Sequence, residues 1–331
     1  MGQNSSRMID IKGTVAPGFE SVKQMFAENF SKGREENAQL CVYVGEEKVV
    51  DLWGSTTDKS YTADTLTTIF SSSKSLTAIA LAAMYDKGLI KYDAKIAEYW
   101  PEFAQNGKED VTIADLMRHE AGLAYLTDSI NVEDTLTKNI KQNSIGSVIE
   151  KQKLQYPAKG KRQYHAMTRG WIANEVFRRV HPNGDTIGEY LRKDIRSKLG
   201  ADVFVGVDDS IAENYAPVKE LPFSFVLGQS LLPKCFGRKV DGNIFEIMSF
   251  MKKVVGASKK TEGQKPAFSD YKGVAMEKSL GNFFNIKEVR NGETPSCNGL
   301  CSARGMNFRE EKYYVFNLAN FRSCSCCGCY G

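Results

Sequence analysis

Apolar residues in the first part of the chain follow two different periods. Over residues 19–30 they recur every three or four positions, which predicts an amphipathic helix. Two short strand-like runs follow at residues 40–44 and 49–53, and the polar residues 45–48 separate them. Runs of this length on either side of a short polar turn predict a β-hairpin.

The middle of the chain is predicted to be helical. A strongly apolar helix is expected over residues 72–87, and it ends at Gly88, a residue type that commonly follows a helix C-terminus. The pattern stays mostly helical over residues 93–199. The clearest helices in this region are expected at residues 113–118, 145–151, 168–180 and 187–199.

The last third of the chain returns to mixed patterns. Residues 243–255 predict a helix, residues 256–272 are polar and Lys-rich and predict an exposed loop, and residues 313–318 alternate like a strand. Strands at both ends and helices between them predict an α+β protein. We expect an antiparallel sheet formed by the N- and C-terminal segments, with a large helical region packed on one face.

Composition and charge exclude several classes of protein. Apolar residues make up 42% of the 331 residues and charged residues 25%, which is typical of a soluble globular protein. With 44 Lys and Arg against 40 Asp and Glu, the net charge of +4 is too small to indicate a nucleic-acid partner. The longest mostly apolar run, residues 76–85, is about half of what a membrane-spanning helix needs.

The N-terminal residues give an indication of the cellular location of the protein. It has no apolar stretch of the signal-peptide kind, so a cytoplasmic location is expected. Gly2 and Ser6 fit the N-myristoylation pattern, so weak membrane attachment by lipidation at Gly2 stays open. The alternative is an ordinary unmodified N-terminus.

The eight cysteines are unevenly distributed. Cys41 and Cys235 are isolated and predict buried thiols, whereas Cys297 and Cys301 lie four residues apart. Four more crowd into residues 324–329, where an unstructured tail is expected, with metal binding or palmitoylation as alternatives. Without a spaced second pair or a nearby histidine, no metal site is predicted, and no cofactor motif occurs elsewhere.

A Ser-x-x-Lys tetrad is the candidate for chemistry, and it occurs three times, beginning at Ser71, Ser249 and Ser269. Ser249 lies inside a predicted helix and Ser269 in the Lys-rich loop. Ser71 alone stands where an extended run turns into an apolar helix. In the first turn of a helix, a serine hydroxyl lies near unpaired N–H groups and the positive end of the helix dipole.

Lys74 follows Ser71 by one helical turn, on the same face. A partly buried lysine can give up its proton and act as the base for a serine nucleophile. The N–H of Ser71 can help to hold an oxyanion. On the tetrad alone, the alternative is a serine that caps the helix and a solvated lysine.

The sequence around the tetrad distinguishes these alternatives. Four segments of this region are informative: Asp-Leu-Trp-Gly at 51–54, Thr-Leu-Thr-Thr-Ile-Phe-Ser-Ser-Ser-Lys-Ser-Leu-Thr-Ala at 65–78, Tyr-Trp-Pro-Glu-Phe at 99–103 and Leu-Met-Arg-His-Glu-Ala-Gly-Leu at 116–123.

In this order the segments resemble the serine β-lactamase-related family, which holds class C β-lactamases, penicillin-binding proteins, family VIII esterases and animal β-lactamase-domain proteins. The likeness is greatest to the animal and esterase-like branch. It implies a β-lactamase/transpeptidase-like fold. The expected domain spans residues 11–305, after a flexible N-terminus of residues 1–10 and before a divergent Cys-rich tail of residues 306–331.

The family's second motif is Tyr-x-Asn, or Tyr-x-x in the esterase branch, and its tyrosine faces the nucleophile and shuttles the proton. Residues 164–171, Tyr-His-Ala-Met-Thr-Arg-Gly-Trp, resemble the esterase form, which implies a catalytic role for Tyr164. Ala166 replaces the asparagine, and this weakens the case for lactam recognition. The family pattern does not support His165 as a general base, and His119 is expected to order a loop.

The third motif of the family, Lys-Thr-Gly or His-x-Gly, is not found. Residues 296–305 resemble the Ser-x-Asn-Gly segment that precedes its strand, but the resemblance stops after Met306. In the family this strand supplies the second oxyanion N–H. We therefore expect reduced activity.

The resemblance implies a metal-free serine hydrolase that cleaves a small ester or amide through an acyl-enzyme on Ser71. Lys74 and Tyr164 would share the proton transfers. The alternative is a non-catalytic binding or scaffold protein that retains the fold. The missing third motif favours this alternative, whereas the presence of Ser71, Lys74 and Tyr164 favours the enzyme.

Overall fold

The computed structural model of the protein describes residues 10–220, 223–233, 244–246, 249 and 265–306. Gly2, the predicted strand at residues 313–318, the Cys-rich tail and most of the predicted helix at 243–255 lie outside the described residues. The predictions for these segments stay predictions.

The N-terminal sheet has three antiparallel strands: β1 (Lys12–Val15), β2 (Asn37–Val44) and β3 (Glu47–Ser55), in the order β1-β3-β2. This confirms the predicted hairpin, in which Gly45 (φ +59°) takes the left-handed conformation of the tight turn. The predicted first helix is α1 (Glu20–Ser31), and its apolar side packs on this sheet.

A second, smaller sheet consists of β4 (Thr67–Thr68), β5 (Val203–Phe204) and β6 (Leu300–Cys301), in the order β4-β6-β5. Because β6 lies between the other two, it brings the C-terminal part of the described chain next to the residues that precede Ser71.

The same C-terminal part also contacts the first sheet. The helix Ala303–Met306 follows β6, and the backbone N–H of Ala303 donates to the side-chain oxygen of Gln39 on β2 at 2.8 Å. Arg304 pairs with the buried Asp51 of β3 at 3.0 Å. The α+β class with small antiparallel sheets is thus confirmed, and the two ends of the described chain meet at the sheets.

The helices form the larger layer. The predicted central helix is α2 (Ser73–Asp86), followed by Gly88 at φ +68°, and it packs against a second buried helix, Thr168–Val180, here named α7. Within the described ranges no helix has both the length and the hydropathy needed to cross a bilayer. The other helices described are α3 (Ile96–Tyr99), α4 (Ile113–Met117), α5 (Thr137–Lys141), α6 (Ser144–Lys151), α8 (Ile187–Tyr190), α9 (Ser197–Leu199), α10 (Asp209–Ala212), α11 (Phe223–Ser230), α12 (Leu280–Asn285), α13 (Lys287–Asn291) and α14 (Ala303–Met306), with single 3-10 turns at Phe70–Ser72, Pro101–Phe103 and Val132–Thr135.

One prediction is confirmed with a local difference, and another needs correction. The helix expected at residues 187–199 is present over the same range, and α8 and α9 flank a π-helical segment at Leu191–Arg196. The loop expected at residues 256–272 is not fully exposed where it is described. Phe268 is buried and packs edge-on against Trp171 at 5.5 Å, and the flanking backbone bonds to Ile130. One aromatic side chain therefore anchors a segment whose composition is polar.

A buried carboxylate links the helical layer to the segment that leads into β6. Glu293 is fully buried and accepts hydrogen bonds from the Thr137 hydroxyl (2.6 Å), the Thr186 hydroxyl (2.7 Å), the Asn174 side-chain amide (3.0 Å) and the Gly188 backbone N–H (3.2 Å). Burial raises the pKa of this carboxyl group. The four donors come from three separate stretches of chain, so Glu293 holds those stretches together.

Replacing Glu293 by alanine should destabilise the fold strongly. Each buried donor that loses its acceptor costs about 1–3 kcal/mol, so we expect the free energy of unfolding to fall by roughly 3 kcal/mol or more. Urea denaturation of Glu293→Ala and the wild type measures this difference. Glu28→Ala, which removes a half-exposed carboxylate of α1 that pairs only with the exposed Lys32, should leave the midpoint almost unchanged. Equal midpoints for Glu293→Ala and the wild type would contradict the role given to Glu293.

Candidate active site

The backbone turns sharply just before Ser71. After β4 the Ile69 N–H donates to the Gly299 carbonyl at 2.9 Å, and Phe70 then takes the left-handed conformation at φ +44°. A bulky residue rarely adopts this conformation, and it persists only where surrounding contacts impose it. One such contact is the edge-to-face packing of the Phe70 ring on Phe284, at 5.8 Å between ring centroids. The turn leaves Ser71 exposed immediately before α2.

Ser73 links this turn by hydrogen bonds to Gly299, the residue that precedes β6. Its hydroxyl is fully buried, donates to the Phe70 carbonyl and accepts the N–H of Gly299 at 2.8 Å. A Cβ atom at residue 299 would lie 2.7 Å from the Ser73 Oγ, so glycine is required for this approach. Neither Ser72 nor Ser73 caps α2 in the ordinary way, because the side chain of Ser72 makes no capping hydrogen bond and that of Ser73 bonds elsewhere.

Lys74 is buried, and its ammonium contacts three acceptors. Its Nζ donates to the carbonyl of Ala166 at 2.8 Å and to the carbonyl of Ser296 at 2.9 Å, and it lies 3.5 Å from the Ser71 Oγ. A solvated lysine on an exposed helix face is therefore excluded.

Tyr164 completes the group around Ser71. Its phenol donates to the Ser71 Oγ at 2.7 Å, and the Lys74 Nζ lies 4.7 Å from the centroid of its ring. Burial acts to raise the pKa of Tyr164, but the Lys74 ammonium and the Ser71 hydroxyl outweigh burial, so the pKa lies below its usual value. The structure thus brings Ser71, Lys74 and Tyr164 together, as the tetrad and the second motif predict.

The two histidines near Tyr164 act as hydrogen-bond acceptors. His119 accepts the backbone N–H of His165 at its Nδ1 (3.0 Å), and His165 accepts the N–H of Leu123 at its Nε2 (3.1 Å) while its Nδ1 donates to the Gln163 carbonyl. Burial is the main cause that lowers the pKa of each to about 4. Both rings are therefore neutral near pH 7. They hold the loop around Tyr164, and the His119 ring packs 4.9 Å from the Tyr164 ring.

The Ser-x-Asn-Gly segment positions one of the carbonyls that hold Lys74. The Ser296 hydroxyl accepts the N–H of Gly170 at 2.8 Å, and a Cβ atom at residue 170 would lie 2.4 Å from the Ser296 nitrogen. The Asn298 side chain accepts the N–H of Thr294 and donates to the carbonyls of Val289 and Gly292.

Cys297 lies between these two residues. Burial raises the pKa of its thiol to about 11, so the group is protonated near pH 7.

Of the other two tetrads, only that of Ser269 is fully described, and it does not form a comparable site. Lys272 is exposed and pairs with Glu288 rather than with Ser269. Ser249 is exposed, and Lys252 lies outside the described residues. Across the described part of the chain, no three His, Cys, Asp or Glu side chains converge as a metal site would require.

Sequence reasoning missed several groups of the site. The motif spacing does not predict that the carbonyls of Ala166 and Ser296 bind Lys74. It also does not predict that the Ser73 hydroxyl binds the Gly299 N–H.

Comparison with known proteins identifies the family of this chain. The sequence profile of the Beta-lactamase family matches residues 22–263. The Esterase/beta-lactamase LipL of Mycobacterium tuberculosis is 33% identical over 194 residues, which cover 57% of this chain and 43% of that protein. The aligned part of the chain thus corresponds to less than half the length of this relative.

Solved structures show the same fold. A penicillin-binding protein homologue from Caulobacter crescentus is 30% identical, with a TM-score of 0.65 over 88% of this chain and 68% of its own. A family VIII carboxylesterase is 27% identical, with a TM-score of 0.66 over 90% of this chain and 70% of its own. Since the family profile spans well over half of the sequence, the chain belongs to the Beta-lactamase family.

Proposed function

We propose that the protein is a serine hydrolase of the esterase type, which cleaves a small ester or amide through an acyl-enzyme on Ser71. The observation that carries this proposal is the 2.7 Å hydrogen bond between the Tyr164 phenol and the Ser71 Oγ, with the Lys74 Nζ beside both. A nucleophile within hydrogen-bond reach of a base that is itself held by a third group is the arrangement that nucleophilic catalysis requires.

The first half of the reaction forms the acyl-enzyme. Tyr164, the nearer of the two candidate bases, reacts as its phenolate, which the charge of Lys74 stabilises. As the Ser71 Oγ attacks the substrate carbonyl carbon, the Ser71 proton passes to the Tyr164 oxygen. The backbone N–H of Ser71 stabilises the oxyanion. The carbon–oxygen or carbon–nitrogen bond to the leaving group then breaks, and the leaving group takes the proton from Tyr164.

The second half restores the enzyme. Water attacks the acyl carbon, its proton passes to the same base, and the acid product leaves as the Ser71 Oγ is protonated again. Lys74 serves both halves because its charge stabilises the Tyr164 phenolate whenever Ser71 keeps its proton. Its two carbonyl acceptors fix its position throughout.

An ester or simple amide fits this site better than a β-lactam. Ala166 stands where lactam-recognising relatives carry an asparagine, and it offers only its backbone carbonyl, which Lys74 already occupies. The relative in Mycobacterium tuberculosis is named as both an esterase and a β-lactamase, and one of the similar structures is a carboxylesterase. The likeness to the carboxylesterase supports the esterase assignment.

A non-catalytic binding protein is the second candidate, and one observation favours it. No Lys-Thr-Gly or His-x-Gly sequence follows Gly299 in the chain. Loss of one oxyanion donor typically costs about 10²–10³-fold in rate. We therefore expect ester turnover that is measurable but slow.

The nucleophile is tested by covalent labelling. A fluorophosphonate probe should add a single mass to the wild type, and Ser71→Ala should abolish the labelling because no other described serine has the same neighbours. Ser249→Ala and Ser269→Ala, in the other two tetrads, are the matched controls and should label normally. Labelling that persists in Ser71→Ala would overturn the assignment.

The two candidate bases are tested by the rate of acylation. Tyr164→Phe removes only the hydroxyl group that contacts Ser71, so we expect the acylation rate to fall by about 10²–10⁴-fold, the range of general-base contributions.

Lys74→Arg should reduce the rate by about 10²-fold or more, because a planar guanidinium does not fit between the Ala166 and Ser296 carbonyls and cannot replace the compact ammonium beside Tyr164. Lys272→Arg, in the tetrad of Ser269, serves as the control. A stopped-flow burst with p-nitrophenyl acetate measures each rate. Wild-type acylation by Lys74→Arg would show that Lys74 takes no part.

A further inference from the structure

Two side chains of α2 bind neighbouring carbonyls in the segment that leads into β6. The Lys74 Nζ donates to the Ser296 carbonyl at 2.9 Å. The Thr77 hydroxyl, one helical turn further along α2, donates to the Pro295 carbonyl at 2.9 Å. Thr77 lies outside the Ser-x-x-Lys tetrad and takes no part in the reaction steps, so its contact with the same segment needs a separate explanation.

The Thr77 contact differs from the usual hydrogen bond of a threonine within a helix. Such a hydroxyl commonly bonds to the carbonyl four residues earlier in the same helix. For Thr77 that carbonyl, of Ser73, lies at 3.4 Å, whereas the Pro295 carbonyl is nearer at 2.9 Å. The Thr77 side chain is fully buried, so solvent does not compete for the hydroxyl. Its single proton therefore serves the contact between the two segments.

The other side of the segment is fixed by α7. The Ser296 hydroxyl accepts the Gly170 N–H at 2.8 Å, and a Cβ atom at residue 170 would lie 2.4 Å from the Ser296 nitrogen. The segment thus lies between α2 and α7, in close contact with both. On the α2 side, the carbonyl that Thr77 binds is one residue away from the carbonyl that binds Lys74.

We propose that Thr77 is a positioning residue for Lys74 in the proposed hydrolase reaction. Its hydroxyl holds the Pro295 carbonyl against α2, and this keeps the adjacent Ser296 carbonyl where it binds the Lys74 ammonium. The inference rests on the proposed function, because Lys74 acts in that reaction by stabilising the Tyr164 phenolate.

The position of the Lys74 ammonium matters because two reacting groups surround it. Its Nζ lies 3.5 Å from the Ser71 Oγ and 4.7 Å from the centroid of the Tyr164 ring. The attraction between an ammonium and a phenolate weakens as the distance between them grows. A misplacement of about 1 Å in an active site can cost about 10²-fold in rate. A hydroxyl that fixes the acceptor of Lys74 therefore acts on the reaction without touching the substrate.

The first measurement is the burst of acylation by p-nitrophenyl acetate. Thr77→Val replaces the hydroxyl by a methyl group of similar size, so we expect the acylation rate to fall about tenfold, part of the cost of a full misplacement, with KM almost unchanged. Thr77→Ser restores the hydroxyl and should restore most of the rate. Thr77→Ala gives the same comparison as Thr77→Val if the valine variant does not fold.

Thr135→Val is the matched control. Thr135 is also buried, and its hydroxyl donates to the Val132 carbonyl at 2.6 Å within the same 3-10 turn. Both valine variants should lower the urea midpoint, because each leaves a buried carbonyl without its donor. Only Thr77→Val should slow acylation, and this difference separates positioning from a general loss of stability.

The second measurement places Thr77→Val in a Lys74→Met background. If Thr77 acts through Lys74, the double variant should react with the fluorophosphonate probe no more slowly than Lys74→Met alone, because the group that Thr77 positions is already removed. A residue that only supports the fold would instead lower the labelling rate by the same factor in both backgrounds.

Urea denaturation of the same four proteins needs no turnover. Thr77→Val should lower the midpoint more in the wild type than in Lys74→Met. In the wild type it disturbs both its own hydrogen bond and the acceptor of Lys74, and substitutions of residues that share such a contact are not additive.

The outcomes separate the two proposals. Wild-type acylation by Thr77→Val or Thr77→Ala, an equal factor of rate loss in the two backgrounds, or an equal loss of midpoint in the two backgrounds would each overturn the role of Thr77. A wild type that neither labels nor hydrolyses esters would overturn the proposed function. The urea comparison would still decide whether Thr77 holds the acceptor of Lys74.

Discussion

The hydrogen bonds of the buried Lys74 ammonium are the constraint on which the site depends. An ammonium carries three protons, and leaving one unsatisfied in the interior is costly. Lys74 meets this requirement with carbonyls from residues 92 and 222 positions further along the chain, and with Ser71. The start of α2, the segment before α7 and the segment before β6 are therefore fixed relative to one another, and this brings Ser71 beside Tyr164.

The close approach of these segments depends on glycine. At Gly170 and Gly299 a Cβ atom would collide with Ser296 and Ser73 respectively, so even alanine at either position would push the segments apart. The strained backbone of Phe70 is a second consequence of the same packing, because β4 is held by β6 on one side and the ring of Phe70 by Phe284 on the other. Strain of this kind is stored where surrounding contacts over-determine a conformation, and here it presents the nucleophile to solvent.

The buried charges of the described residues are held in different ways. No carboxylate of the described residues pairs with Lys74, whose ammonium is held by the Ala166 and Ser296 carbonyls. The buried Glu293 is held by four hydrogen bonds, and Asp51 is paired with Arg304. The two imidazoles of the site, His119 and His165, are kept neutral by burial.

The local elements and the candidate residues follow from the amino-acid sequence alone. The apolar periodicity of α1, β2, β3 and α2 is a short-range property. The tetrad and the tyrosine motif are contiguous stretches of sequence, and their resemblance to the family's motifs indicates Ser71, Lys74 and Tyr164. The surroundings of these residues depend on the tertiary fold. The carbonyl acceptors of Lys74, the burial of Phe268 in a polar segment and the hydrogen bond between Thr77 and Pro295 all arise from contacts between distant segments. Such contacts leave no period or spacing in the chain, because a backbone carbonyl is the same in every residue and only the fold determines which one faces a buried charge.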